Sequence, residues 1–364
     1  MALDRNGRSR MSWVASISQG TGIRFYPPFD RMPPRGSLRR GTVLLEARLD
    51  PVTAAQPILR IPLQAHAGGH LSVLALPGGS FSLVLSQGAA LLHKTVRLAQ
   101  AGLGGEMRLS LAWDCDRSLA RFAVEIVGER AFAVDALPIP KPLAAASLTN
   151  FEAMEICLPD GADLGFLAVS NDVEPVGPLP GLGVRSVIDT TFGPRVLGEL
   201  ACGDLVTTGA GNPPEPVLHV AKRTVPALGS FAPIRLRAPY FDLHQDLIVA
   251  AHQKIFMTGS VVEYTFGREA VLVPAEHLVN GVSAIRETHV ALVSYGQVLL
   301  PSHSMIEANG ASVESLFIGR LRRDPAKIAA SVLSDANPTL IPEQASLASP
   351  VLAGYEARAL IEVA

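Results

Sequence analysis

Between Gly41 and about Val169, apolar residues recur at every second position: Val43, Leu45 and Ala47; Leu71, Val73 and Ala75; Phe81, Leu83 and Leu85; Met107, Leu109, Leu111 and Trp113. A strand turns successive side chains to opposite faces, so this period predicts strands that are buried on one side. Gly68-Gly69, Pro77-Gly78-Gly79, Gly102-Leu103-Gly104-Gly105 and Asp114-Cys115-Asp116 interrupt the runs. No run has a helical period, and hairpin-connected antiparallel strands in a jelly-roll-like sandwich bury these faces most directly.

Residues 170–180 carry Pro175, Pro178, Pro180 and Gly177 in a polar context, the composition of a semi-rigid linker. Beyond it the strand pattern resumes at 184–190, 195–200, 204–208, 216–224, 234–237, 246–257, 271–273 and 289–300, and helix signals come only at the C-terminus. Residues 1–40 mix Arg, Gly, Ser and Pro without a period and read as a poorly ordered lead or one edge strand. The expected organisation is therefore all-β: this lead, a sandwich over 41–169, the linker 170–180, a second β module over 181–320, and a helical tail over 321–364 packed on that module.

Composition narrows the partners. A net charge of −2 over 364 residues gives no global attraction to nucleic acid or anionic membrane. No apolar run approaches the roughly 20 residues of a membrane-spanning helix. Ser12-Trp13-Val14-Ala15-Ser16-Ile17-Ser18, after Arg5, Arg8 and Arg10, is too short and polar for a Sec signal. Cys115, Cys157 and Cys202 are odd in number and far apart, against a disulfide framework or a structural zinc cluster. A cytoplasmic location, or export without a cleaved N-terminal signal, is the expectation.

Several second-half segments come in a recognisable order. They are Ile188-Asp189-Thr190-Thr191-Phe192-Gly193, Glu199-Leu200-Ala201-Cys202-Gly203-Asp204-Leu205-Val206, Asp246-Leu247-Ile248-Val249-Ala250-Ala251-His252, Glu269 to Gly281, Leu299-Leu300-Pro301-Ser302-His303-Ser304-Met305, Glu314-Ser315-Leu316 and Pro350 to Arg358. Together they resemble the bacterial Hint domain family, the fold of hedgehog proteins and inteins, over roughly Gly181 to Leu360. The resemblance implies a β-horseshoe and an autoprocessing reaction in which the thiol of the first residue attacks the preceding carbonyl. The N-terminal half, with its strand ending in Trp113-Asp114 and the following Arg121-Phe122-Ala123-Val124-Glu125, resembles the legume-lectin or laminin-G class of jelly rolls more loosely.

Carried over residue by residue, the resemblance puts Gly181 at the nucleophile position, Thr190 in the first turn, Asp204 in the Gly-Asp segment, and His252 and His303 at histidine positions. Gly181 has nothing with which to attack a carbonyl. Ser186 lies several residues into the strand, Thr190 is the turn residue itself, and Cys202 reads as a partly buried thiol. Val249 stands where the family has a hydroxyl three before the histidine, and Gln297 where a second histidine is common. The bland alternatives are a core or edge-strand role for His252 and a surface-turn role for His303.

Asp242, His244, Asp246 and His252 form the only dense set of potential metal ligands, and on one strand Asp242, His244 and Asp246 would share a face. Alternate strand residues sit roughly 6–7 Å apart and need not converge on one ion, so neither a metal nor a cofactor is expected. No P-loop, His-Glu-x-x-His, Gly-x-Ser-x-Gly or Cys-x-x-Cys motif is present. Arg320-Leu321-Arg322-Arg323 before Asp324-Pro325 reads as a solvated helix start. The resulting expectation is a Hint-type module that has lost self-cleavage and persists as a scaffold or binding surface. Two rivals stay open: an active autoprocessing protein, and a lectin-like carbohydrate-binding protein. The partner is left unknown, either a protein or a carbohydrate meeting the N-terminal sandwich.

Overall fold

The structure, a computed structural model, describes residues 12–29, 35–64, 68–129, 131–158, 163–209 and 212–363. It divides into two compact units between Gly177 and Pro178. Both are built of antiparallel sheets, with few helices. Among the described residues no helix is long and apolar enough to cross a membrane.

In the first unit a seven-stranded sheet runs in the order Phe132–Ala136, Leu119–Ile126, Gly105–Asp114, Arg40–Leu49, Asp163–Ser170, Trp13–Ser18, Gly22–Phe25. A five-stranded sheet runs Glu155–Ile156, Gln56–Pro62, His70–Leu76, Ser80–Gln87, Ala90–Arg97. The alternating residues named above all belong to one buried cluster to which both sheets contribute. This is the sandwich the period predicts, with about 1.5–3 kcal/mol gained per fully buried aliphatic side chain. Trp113 is fully buried, and its indole N–H donates to the Leu38 carbonyl at 3.1 Å.

Two expectations change. The stretch 1–40 contains an interior strand, Trp13–Ser18, hydrogen-bonded on both sides, with Gly22–Phe25 beyond it at the edge. Its composition hid this because Trp13, Val14 and Ala15 are consecutive buried residues and break the alternation; residues 1–11 and 30–34 lie outside the description. The boundary at Gly177–Pro178 falls inside the expected linker, but residues 170–177 are hydrogen-bonded to the first unit. The Glu174 carboxylate accepts from the Ser12 and Ser170 hydroxyls at 2.7 and 2.8 Å, and its carbonyl accepts from Arg121 at 2.8 Å. The Gly177 N–H donates to the Glu125 carboxylate at 2.8 Å. Proline and glycine content is blind to such tertiary hydrogen bonds.

The second unit has two six-stranded sheets. One runs His219–Pro226, Leu292–Leu299, Leu182–Gly183, Leu247–Val249, Ile234–Leu236, Ala284–Arg286; the other runs Arg195–Val196, Val187–Ile188, Met305–Ala308, Ala311–Glu314, Lys254–Thr258, Ala270–Pro274. The single strand expected over 246–257 is two strands, one in each sheet, joined by a turn at Ala250–Gln253. The chain crosses in the same way between Gly183 and Val187 and between Leu299 and Met305.

Helix is not confined to the tail, since Ser260–Phe266 forms one, ended by Gly267 in the left-handed region. In the tail Asp324 caps the helix Pro325–Ala330 by accepting from the Lys327 N–H, with Pro325 in its first turn. The helix Gly354–Val363 places Ala357 and Leu360 in the core of the second unit.

Candidate functional site

Gly181 lies against the crossing at Ala250–Gln253. The next residue, Leu182, pairs with Val249 on one side and Gly296 on the other. The Gly181 carbonyl accepts from the Ala250 N–H at 2.7 Å, and its own N–H donates to Gln297 Oε1 at 3.3 Å. His252, in the turn between the split strands, has Nε2 3.2 Å from the Leu179 carbonyl oxygen. A carbonyl can only accept, so Nε2 carries the proton in that bond. The segment Leu179–Leu182 is thus held at the backbone by His252, Gln297 and Ala250.

Gln253 and Gln297, each only 2% exposed, form the floor. Both side-chain amides donate to the Glu314 carbonyl, Gln253 at 3.3 Å and Gln297 through a shorter bond, and Gln253 also donates to the Lys254 carbonyl at 3.2 Å. A Cβ placed on Gly181 would overlap Gln253 Oε1 and lie 3.0 Å from its Cβ and 3.2 Å from its Cδ. The Glu314 carboxylate points away, accepting from Lys254 Nζ at 2.7 Å and facing His303 Nε2 at 3.2 Å. His303 Nδ1 accepts from the Ala348 N–H at 3.0 Å. In these two bonds Nδ1 is the acceptor and Nε2 the nitrogen placed to donate to Glu314.

Gly181 and His252 are thus brought together, and His303 joins them through Glu314. The surface-turn alternative for His303 is corrected: the ring is buried and packs edge-on against Phe317 at 5.1 Å. Thr190 and Asp204 serve their own turns. The Thr190 hydroxyl donates to the Gly193 carbonyl at 2.6 Å and accepts from the Phe192 N–H. Both carboxylate oxygens of Asp204 accept from Arg195 at 2.9 Å, and one accepts from the Ala201 N–H. Ser186 is buried, and Cys202 is exposed instead of partly buried because it sits on the turn before Gly203. Gln253, Lys254 and Glu314 had no assigned role in the sequence. Only the adjacency of Gln253-Lys254 to His252, and the place of Glu314 at the head of one family-like segment, pointed toward them.

The metal-ligand candidates are not on one strand. Asp242 ends the short turn Tyr240–Asp242, and the strand begins only at Leu247. Asp246 accepts from the Ala238 N–H at 3.0 Å and pairs with Arg235 at 3.3 Å; that N–H first, and then Arg235, hold its carboxyl below the ordinary range. Burial, and then the charges of Asp189 and Asp242, push Glu307 above it. Among the described residues no three His, Cys, Asp or Glu gather as a metal site.

Residues 182–320 match the family model of the Hint domain. The Hint match therefore begins one residue after Gly181 and includes His252, Gln253, Gln297, His303 and Glu314. No curated protein matches the chain. Among solved structures, the CBM40 module of the Ruminococcus gnavus IT-sialidase is 15% identical, with 38% of this chain and 79% of that one covered at a TM-score of 0.29. A leech intramolecular trans-sialidase complexed with 2,7-anhydro-Neu5Ac is 15% identical, covering 37% of this chain and 22% of that one at 0.28. The binding domain of botulinum neurotoxin DC is 5% identical, covering 89% and 97% at 0.29. Likeness this loose says nothing about a ligand.

Proposed function

We propose that the second unit is a Hint domain that keeps the arrangement around its junction but does not cleave it, and that it persists as a scaffold or binding surface. The observation that carries this reading is Gly181: the residue whose N–H and carbonyl are held by Gln297 and Ala250 has no side chain. Self-cleavage needs a thiol or hydroxyl at that place to attack the Pro180 carbonyl. Acid–base help of the kind His252 could give is worth on the order of 10²–10⁴-fold, but it assists an attack and cannot replace one. Thr190 is committed to its turn, and Val249 carries no hydroxyl. Intact mass after prolonged incubation with dithiothreitol or hydroxylamine tests the reading. A single uncut mass is expected, and fragments from a break between residues 178 and 186 would overturn it.

A second reading concerns the first unit. An open cleft of about 390 Å³ is lined by Arg39, Arg40, Asp114, Asp116, Arg117 and Asn171 among others. The Arg39–Asp116 pair there is well exposed. Exposed pairs contribute only about 0–1 kcal/mol, so these groups can exchange one another for sugar hydroxyls at small cost. We propose a polyhydroxylated, carbohydrate-like ligand for this cleft. Glycan-array binding that is lost in Arg39→Ala and Asp116→Ala supports it; no binding to any glycan at millimolar concentration rejects it.

A further inference from the structure

We infer that Gln253 stands in the volume of the side chain that position 181 would otherwise carry, and that this residue is what confines the position to glycine. The inference takes its interest from the reading of Gly181 as the former nucleophile position, while its geometry is independent of that reading.

Two causes can make a position accept only glycine: a backbone conformation closed to other residues, or a lack of room. Gly181 is not among the glycines with positive φ, so conformation does not demand it. The lack of room has one source. All three atoms nearest to a Cβ at this position belong to Gln253: its Oε1 overlaps outright, whereas its Cβ at 3.0 Å and Cδ at 3.2 Å are tight contacts that a shift of a few tenths of an ångström relieves. The far end of the side chain is not free to swing aside. Its amide bridges the Glu314 and Lys254 carbonyls. The backbone of Gln253 is fixed on both sides, its N–H donating to the Ala250 carbonyl at 3.0 Å and its carbonyl accepting from the Ala275 N–H at 2.8 Å.

Position 181 is therefore closed twice, by the missing nucleophile and by an occupant where one would stand. A single substitution at 181 cannot reopen it, and a nucleophile there requires a smaller residue at 253. The two positions form one packing unit, although 72 residues of chain separate them.

A double-mutant cycle on the full chain tests this, using Gly181→Ala, Gln253→Ala and the pair. Both tryptophans, Trp13 and Trp113, lie in the first unit, so their emission serves as an internal control. The second unit is read from native-state hydrogen exchange of the amides in Leu182–Gly183, Leu247–Val249 and Leu292–Leu299. With Gln253 present, Gly181→Ala should raise the opening constant on the order of tenfold or more, as forcing a methyl into a packed interior does. With alanine at 253 the same change should cost less than about threefold, near the limit of additivity between independent sites. If Gly181→Ala alone does not fold, recovery of a folded pair supports the inference, and an equally unfolded pair overturns it. Equal penalties in both backgrounds, or a tolerated Gly181→Ala with Gln253 in place, also overturn it. A chain found cut between 178 and 186 would remove the non-cleaving reading and leave this cycle unaffected.

Discussion

Lys254→Met isolates the charge on which the floor of the site is built. Lys254 Nζ and Glu314 Oε1 are 2.7 Å apart, with side chains 13% and 7% exposed. At an effective dielectric constant of about 20 the attraction at this distance is about 6 kcal/mol, most of it offset by the desolvation of both groups. Removing the ammonium leaves the desolvation of Glu314 in place, which costs about 3–5 kcal/mol; the residual exposure puts the expected loss near 3. Lys254→Met with Glu314→Gln removes both charges while keeping an acceptor for His303, and should fall within about 2 kcal/mol of the parent. Hydrogen exchange of the strands Lys254–Thr258 and Ala311–Glu314 reads the effect, with tryptophan emission as the control for the first unit. A single-variant loss below about 1 kcal/mol, or a double-variant loss equal to the sum of the two singles, would refute the argument.

Three further outcomes are expected. Glu307 is held above the ordinary carboxylate range, chiefly by burial and then by Asp189 and Asp242; the fold therefore favours its protonated form. The stability it contributes is present below the ordinary carboxylate pKa and is lost as pH rises through the raised value, so Glu307→Gln should gain thermal stability relative to the parent at pH 7 and not at pH 4. A gain of equal size at both pH values would show that the charge is not the cause. Glu174→Ala removes an acceptor shared by the Ser12 and Ser170 hydroxyls, so limited proteolysis within 170–177, slow in the parent, should become several-fold faster; fast cutting there in the parent would contradict the packing of this segment. Of the three thiols, the exposed Cys157 and Cys202 should react quickly with a thiol reagent near neutral pH. Cys115 should lag because burial raises its pKa and lowers its thiolate fraction, and three equal rates in a peptide-resolved labelling experiment would be inconsistent with this.

What the sequence by itself determined is what local periodicity can carry. Alternation assigned Val43, Leu45 and Ala47, and Met107, Leu109, Leu111 and Trp113, to the inner faces of a sandwich, because a strand's two faces are set by its own residues. The order of the Hint-like segments pointed to the Hint family that residues 182–320 match, and drew attention to His252 within it and to Gly181 just before it. The tertiary structure alone decided where the chain changes sheets, since the apolar run through Leu247–Val249 and Lys254–Thr258 reads as one strand until its two halves find different partners. It alone decided that Gln253 and Gln297 meet at Gly181 and share the Glu314 carbonyl, across 61 residues from Gln253 to Glu314 and 116 from Gly181 to Gln297. Side-chain amides donating to a distant carbonyl leave no period and no motif, and a glycine required for lack of room looks in sequence like any other glycine. The physical difference is one of range: burial pattern is encoded every second residue, whereas the filling of a site depends on which remote side chain folding brings against it.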